Sequence, residues 1–272
     1  MSAVPSDAFP VPDEPLNPPL HLVEGQAPSW LWYLTEPTRA AVDIGQFAAT
    51  RQLLRAAPSG DGHPVMVLPG LGGTDATTAA LRRFLSGLGY DVHGWGLGRN
   101  IGPTRTAVQG IRSQLRTLGG VDKVSVIGWS LGGIFGREIA REHPELVRQV
   151  ITLGSPYAMT DMRQTRANPM YQLLARFYVP GAEHPPPEHT RPPFPVPATS
   201  IYSKTDGIVA WQTCMSEPGP RQENVAVSCS HLGYGYNPTV MWVVADRLAQ
   251  PYGFWSPFAP PPGMANMYPK AA

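Results

Sequence analysis

Val124-Ser125-Val126-Ile127-Gly128-Trp129-Ser130-Leu131-Gly132-Gly133 decides how this chain is read. A short apolar run leads straight into Gly128-Trp129-Ser130-Leu131-Gly132, of the form G-x-S-x-G. Leu131, Ile134, Phe135 and Ile139 then recur with the period of a helix. The spacing predicts a strand, one tight turn and a helix, with Ser130 on the turn. Gly128 and Gly132 let the two elements approach without a Cβ clash, and the turn lifts the Ser130 hydroxyl out of the sheet on strained backbone angles. The helix N-terminus behind it favours developing negative charge. A chance match in a chain with 28 glycines would lack the strand before and the helix after.

Working outward, Val65–Leu68 is an all-apolar run between Pro64 and Gly70, as expected of a buried parallel strand. A helix capped by Thr74 or Asp75 follows to about Leu88, then a strand from Asp91 (DVHGWGL) and a helix over 104–118. Val147–Leu153 is the next strand. Strands then appear at 200–206 and 225–230, and a last helix over 238–249 buries Val240, Met241, Val244 and Leu248. An earlier helix over 37–57 places Ile44, Phe47, Ala48 and Leu54 on a rough apolar face. Strand–helix alternation at this spacing implies a three-layer α/β fold, with a mostly parallel sheet covered on both faces.

The expected organisation is an extended arm over 1–30, a core over 31–156 and 198–250, an insertion over 157–197 and a Pro-rich tail over 251–272. The insertion is expected to hold a helix over about 161–177 and then a rigid strap, PGAEHPPPEHTRPPFPVP. It would lie over the carboxyl ends of the strands, where such sheets bind ligands. Its Tyr157, Met159, Met162, Met170, Tyr171, Leu174, Phe177 and Tyr178 suit a cap over an acyl pocket, against the plainer reading of an irregular loop.

The 272 residues carry 21 basic and 20 acidic side chains, a net charge of +1. No basic cluster interleaves with aromatics, so nucleic acid is not an expected partner. No apolar stretch approaches the roughly 18 residues of a membrane-spanning helix, although interfacial contact with lipid stays open. The N-terminus MSAVPSDAFPVPDEP does not read as a signal peptide. Cys214 and Cys229 flank the segment between two candidate catalytic residues. A disulfide there would close a short loop, worth roughly 3 kcal/mol, and would fit a secreted or periplasmic protein whose leader had been removed. Two free thiols, and a cytoplasmic protein, are the alternative. Oligomeric state is not readable.

Three further segments bear on chemistry. Pro69-Gly70-Leu71-Gly72-Gly73 is a turn whose amides can face a reacting carbonyl. The N–H groups of Leu71 and Leu131 are the candidate oxyanion donors. The turn is neither a Walker A loop nor GxGxxG. Asp206 ends a strand in Lys204-Thr205-Asp206-Gly207 and can orient a histidine, whereas Asp161 and Asp122 are weaker rivals and a turn-forming Asp-Gly is the plain alternative. His231, in Ser230-His231-Leu232-Gly233 just before the last helix, is placed to be the general base. His21, His63, His93, His143, His184 and His189 are less well placed. No zinc ligand set is evident, and no cofactor is required.

PGLGG (69–73), GWSLGG (128–133), SKTDGIV and SHLG (230–233) together resemble the α/β-hydrolase superfamily and, within it, the bacterial lipase/esterase group. The resemblance spans roughly 60–250. It implies a Ser130 nucleophile, a His231 base oriented by Asp206, amides of Leu71 and Leu131 for the oxyanion, and a cap at 157–197. Two departures bear on substrate class. Pro69-Gly70 stands where many lipases have His-Gly, and Trp129 where His is common. A clear first strand pair is missing, so a shortened, six-stranded sheet is expected. The activity implied is hydrolysis of carboxylic esters, small or lipid, with an apolar acyl chain. Acyl transfer or thioester hydrolysis by the same three residues is one alternative, and a non-catalytic binding module on this fold is another.

Overall fold

The computed structural model describes residues 25–120, 122–181, 185–186, 188–217 and 219–270. Most of the expected N-terminal arm, residues 1–24, lies outside these. Six strands form one sheet in the order β2-β1-β3-β4-β5-β6, every neighbour pair parallel. They are β1 (Pro64–Leu68), β2 (Asp91–Gly94), β3 (Val124–Trp129), β4 (Val147–Leu153), β5 (Ala198–Ser203) and β6 (Gln222–Val227). This is the short sheet expected. The second strand stops at Gly94 because Gly96 and Gly98 both take positive φ, at 67° and 76°, and turn the chain away.

Alternation along each strand supplies two cores. Val65, Val67, Ile127, Ile151 and Ile201 face one side. Helices α4 (Ala79–Gly87) and α8 (Pro238–Leu248) cover them, with α2 (Glu36–Ala49) and α3 (Arg51–Leu54) further out. Met66, Leu68, Val124, Val126 and Val150 face the other, against α5 (Arg105–Gly119) and α6 (Leu131–Glu142). Helix α8 is buried on nearly every side, since the tail closes over it through Phe258, Met264 and Tyr268. A five-residue helix, α1 (Trp30–Leu34), precedes α2.

The insertion departs from the expected single helix. Thr165 is extended, with φ −136°, and pairs with Val209, which splits the segment. A 3-10 turn at Met162–Gln164, helix α7 (Asn168–Leu174) and a 3-10 turn at Ala175–Phe177 result.

Cys214 and Cys229 are free thiols, which corrects the expected disulfide. They belong to opposite faces of the sheet. Cys229 packs with Val225 and Val227, and Cys214 with Tyr202 and Ala226. Neighbouring residues of one strand point to opposite sides, so closeness along the chain did not bring the two sulfurs together. Burial pushes both thiols well above their ordinary pKa.

Strand order reverses between β1 and β3. The crevice at their carboxyl ends is where open parallel sheets bind ligands. The turns after Leu68 and after Trp129 both open into it.

Candidate active site

Ser130 has φ 52° and ψ −121° and is the one non-glycine residue with positive φ among those described. Its own N–H donates to Leu153 O at 2.8 Å, and its carbonyl accepts from Gly133 N at 3.0 Å. The glycines around it are demanded by close approach. A Cβ on Gly128 would overlap the backbone of Gly132 and Gly133, and one on Gly132 would overlap the Leu68 carbonyl. Backbone cannot move aside as a side chain can, so the strand and helix cross this closely only with glycine at both positions.

The turn after β1 approaches equally closely, since a Cβ on Gly70 would stand 3.1 Å from Ser130 Cβ. Buried Asn100, which the sequence reading did not pick out, braces this turn. Its Nδ2 donates to Pro69 O at 2.7 Å, its N–H donates to Gly73 O at 2.8 Å, and its carbonyl accepts from Gly72 N at 2.7 Å. Among the described residues no hydrogen bond occupies the N–H of Leu71 or Leu131. Both residues line the cavity that opens at Ser130.

The structure brings Asp206 and His231 together. His231 Nδ1 lies 2.6 Å from Asp206 Oδ2, with both side chains almost fully buried. The other oxygen, Oδ1, accepts from Ile208 N at 2.8 Å and Val209 N at 2.9 Å. Backbone therefore fixes the carboxylate before it meets the ring. Trp129 is more than a spacer in the serine turn. Its indole Nε1 donates to His231 O at 3.0 Å, which ties the serine turn to the histidine turn. Tyr234 packs edge-on against the imidazole at 6.0 Å.

Burial alone would lower the pKa of His231. The charge of Asp206, the hydrogen bond to it and the charge of Glu36 outweigh that, so the imidazole titrates above its ordinary 6.5. A raised pKa favours the protonated ring. It adds stability below the unfolded value and loses it as pH rises through the folded one. A base must be neutral to accept a proton, so activity runs the opposite way. The acidic limb of kcat/KM is expected to have its midpoint above pH 6.5, and a midpoint at or below that value would contradict the assignment.

The remaining candidates lie elsewhere. His63 bonds Ser125 Oγ at 2.8 Å and Asp61 through its other nitrogen, but at the amino ends of the strands. Ser125 is completely buried, so this second Ser–His–Asp set holds the sheet's base together. His93 pairs with Asp91, and His143 lies near Glu142 and Glu145. Asp161 lines the cavity, but its carboxylate is engaged by Arg163. Asp122 accepts a bond from Lys123 N. His21 and His184 lie outside the described residues. Among the described residues no three His, Cys, Asp or Glu side chains cluster as metal ligands, and no helix is long and apolar enough to cross a membrane.

A family model of the α/β hydrolase fold matches residues 64–185. With its parallel sheet covered by helices on both faces, the chain has the α/β hydrolase fold. A structure described with LipS and LipT, two metagenome-derived lipolytic enzymes, is 15% identical, with a TM-score of 0.53 over 70% of this chain and 93% of the other. MGS-MChE2, an α/β hydrolase from the metagenome of Mar Chica lagoon sediments in Morocco, is 18% identical, with a TM-score of 0.48 over 66% and 87%. At 15% identity the likeness to the first of these is one of fold. Among curated proteins none matches this sequence. Within the hydrolase fold, Ser130 sits after β3, Asp206 after β5 and His231 after β6, all at the carboxyl edge of the sheet.

The cavity at Ser130 has a volume of about 800 Å³. Its lining includes Ile111, Ile134, Phe135 and Ile139 of α5 and α6, Tyr157, Met159, Met162 and Tyr171 of the insertion, and charged side chains, among them Arg112, Glu138 and Arg191. The strap of the insertion is pinned to α6. Glu188 pairs with Arg137 at 2.7 Å and Arg141 at 2.8 Å, and Arg191 pairs with Glu138. Arg137 is 2% exposed and lies between the rings of Tyr157 at 3.9 Å and Phe194 at 4.1 Å. Burial would raise the pKa of Glu188, but the two guanidinium groups outweigh it and hold the carboxyl below its ordinary range. Removing one member of a buried pair strands the other charge. Glu188→Gln is therefore expected to cost about 3 kcal/mol of stability, measured by urea unfolding. An unchanged midpoint would mean that the strap is not held by these pairs.

Proposed function

We propose that this protein is a serine hydrolase that cleaves carboxylic esters with an apolar acyl chain. The observation that carries the reading is Ser130, held at positive φ and lining a cavity of about 800 Å³, with the buried 2.6 Å His231–Asp206 pair at the same sheet edge. In this reading Ser130 Oγ attacks the acyl carbonyl as His231 Nε2 takes its proton. The Leu71 and Leu131 amides hold the oxyanion. His231 then gives its proton to the leaving alcohol. Water, deprotonated by the same ring, releases the acid and frees Ser130. Asp206 holds the proton on Nδ1, so that Nε2 is the free base.

The insertion over 157–197 acts as the cap of the acyl pocket, with the strap as its rigid half. The aliphatic and aromatic side chains of the lining support an apolar acyl group. Acyl transfer and thioester hydrolysis use the same three residues and differ in the acceptor or leaving group. Hydrolysis of p-nitrophenyl esters from acetate to palmitate, with Ser130→Ala as control, tests the proposal. Release of p-nitrophenol that vanishes in the variant supports it, and the length optimum sizes the pocket. No release from any ester would turn the reading toward thioesters.

A further inference from the structure

Helix α2 turns an unusual face inward. Its buried residues are Glu36, Ala40 and Asp43. Two carboxylates thus occupy positions where a surface helix normally buries aliphatics. Glu36 is 2% exposed. Its Oε1 accepts from Gly207 N at 2.7 Å, His231 N at 3.0 Å and Arg39 Nη2 at 2.7 Å, and its Oε2 accepts from Leu232 N at 3.0 Å. One carboxylate thereby binds the residue after Asp206 and the backbone of His231 itself. Arg39 adds a second tie, donating from Nη1 to Thr205 O at 2.6 Å. A Cβ on Gly207 would stand 2.8 Å from Glu36 Cγ and would overlap the Trp32 carbonyl, so glycine is what lets the helix come this close. Two turns along, Asp43 Oδ2 accepts from Ser230 Oγ at 2.6 Å and Ser230 N at 3.1 Å, while Oδ1 accepts from Asn237 Nδ2 at 2.8 Å.

We propose that Glu36, braced by Arg39, is a positioning residue of the hydrolytic site, holding the Asp206 and His231 turns in one register so that the imidazole is aimed at Ser130. The proposal rests on the reading of Ser130, Asp206 and His231 given above. The two turns follow different strands, β5 and β6, and each carries one half of the Asp–His pair. A side chain that bonds both turns therefore fixes the relative placement of the pair, beyond the single 2.6 Å bond between them. All four partners of Glu36 are donors. A glutamine in its place has one acceptor oxygen and must turn its NH2 toward a donor, so the clamp requires a carboxylate. Glu36 does not line the cavity, so substrate binding does not depend on it directly.

The test is Glu36→Gln in the full chain, assayed on p-nitrophenyl butyrate beside Asp43→Asn and Ser130→Ala. A misaimed base slows chemistry without changing the pocket. kcat is expected to fall by up to about 100-fold with KM nearly unchanged. The acidic limb supplies a readout that mere structural support would not move. The groups around His231 are Asp206, Glu36 with Arg39, Asp43, Tyr234, Cys229 and Cys214. Of these, Asp206 and Glu36 raise the pKa of the ring. Glu36→Gln is expected to shift the limb to lower pH, and Asp43→Asn to leave it in place. Wild-type kcat and an unmoved limb in Glu36→Gln would overturn the proposal. Should Glu36→Gln not fold, Arg39→Lys, which keeps the charge but gives up the guanidinium's paired bonds to Thr205 O and to Glu36, is expected to lower kcat at constant KM. Wild-type kcat in that variant would overturn the proposal too. Ser130→Ala separates the two failures. Activity that survives in Ser130→Ala defeats the hydrolase reading itself, while activity lost there but intact in Glu36→Gln defeats only the clamp.

Discussion

Ser130→Ala is expected to lower kcat for ester hydrolysis by about 10⁶-fold while leaving the fold intact. The side chain removed is one hydroxyl, and the substituted residue makes its recorded bonds through backbone: its N–H to Leu153 O and its carbonyl to Gly133 N. Alanine can retain both. The backbone at φ 52° is as unfavourable for alanine as for serine, so stability should scarcely change. What disappears is the nucleophile. The cavity and the Leu71 and Leu131 amides, the proposed oxyanion donors, remain, and the residual rate would report what they contribute alone. Kinetics on p-nitrophenyl esters, with circular dichroism as a folding control, check this. Substantial activity in the variant would assign the chemistry to another residue.

Asp206→Asn is expected to cost about 10⁴-fold in kcat, for a reason that can be traced atom by atom. Oδ1 accepts from the amides of Ile208 and Val209, and Oδ2 faces His231 Nδ1. An asparagine has one acceptor oxygen. Two backbone donors claim it, so the NH2 must point at His231. The ring then presents Nδ1 as acceptor and carries its proton on Nε2, the nitrogen that ought to receive the serine proton. Placement survives and the tautomer is wrong. Rates measured alongside KM would show a loss confined to kcat, and a loss of only a few-fold would mean that Asp206 does not set the tautomer.

The fold was legible because parallel strands buried on both faces read as continuous apolar runs. Val65–Leu68 and Val147–Leu153 need no periodicity to be recognised. The serine turn was legible because sterics leave so few residues able to occupy it, as Gly128 and Gly132 illustrate. The supporting polar groups were not. Of the expected apolar face Ile44, Phe47, Ala48 and Leu54, Phe47 and Leu54 pack on the core, yet Ile44 is 46% exposed and the buried positions of α2 include Glu36 and Asp43. A carboxylate that binds backbone amides leaves no periodic mark, since its partners lie 171 to 196 residues away in sequence. Asn100 was hidden for the same reason. The insertion was expected as one helix, but the pairing of Thr165 with Val209 is a tertiary contact that local pattern does not reveal. The two cysteines misled because spacing along the chain says nothing about which face of a sheet each one takes.

The most direct test of the central claim is to trap the nucleophile as a covalent phosphonyl adduct. The protein would be mixed with a fluorophosphonate bearing an alkyl chain, digested, and mapped by mass spectrometry. The account predicts one adduct, on the peptide carrying Ser130, with labelling much slower in His231→Ala. An unlabelled protein, or an adduct on any other residue, would contradict it.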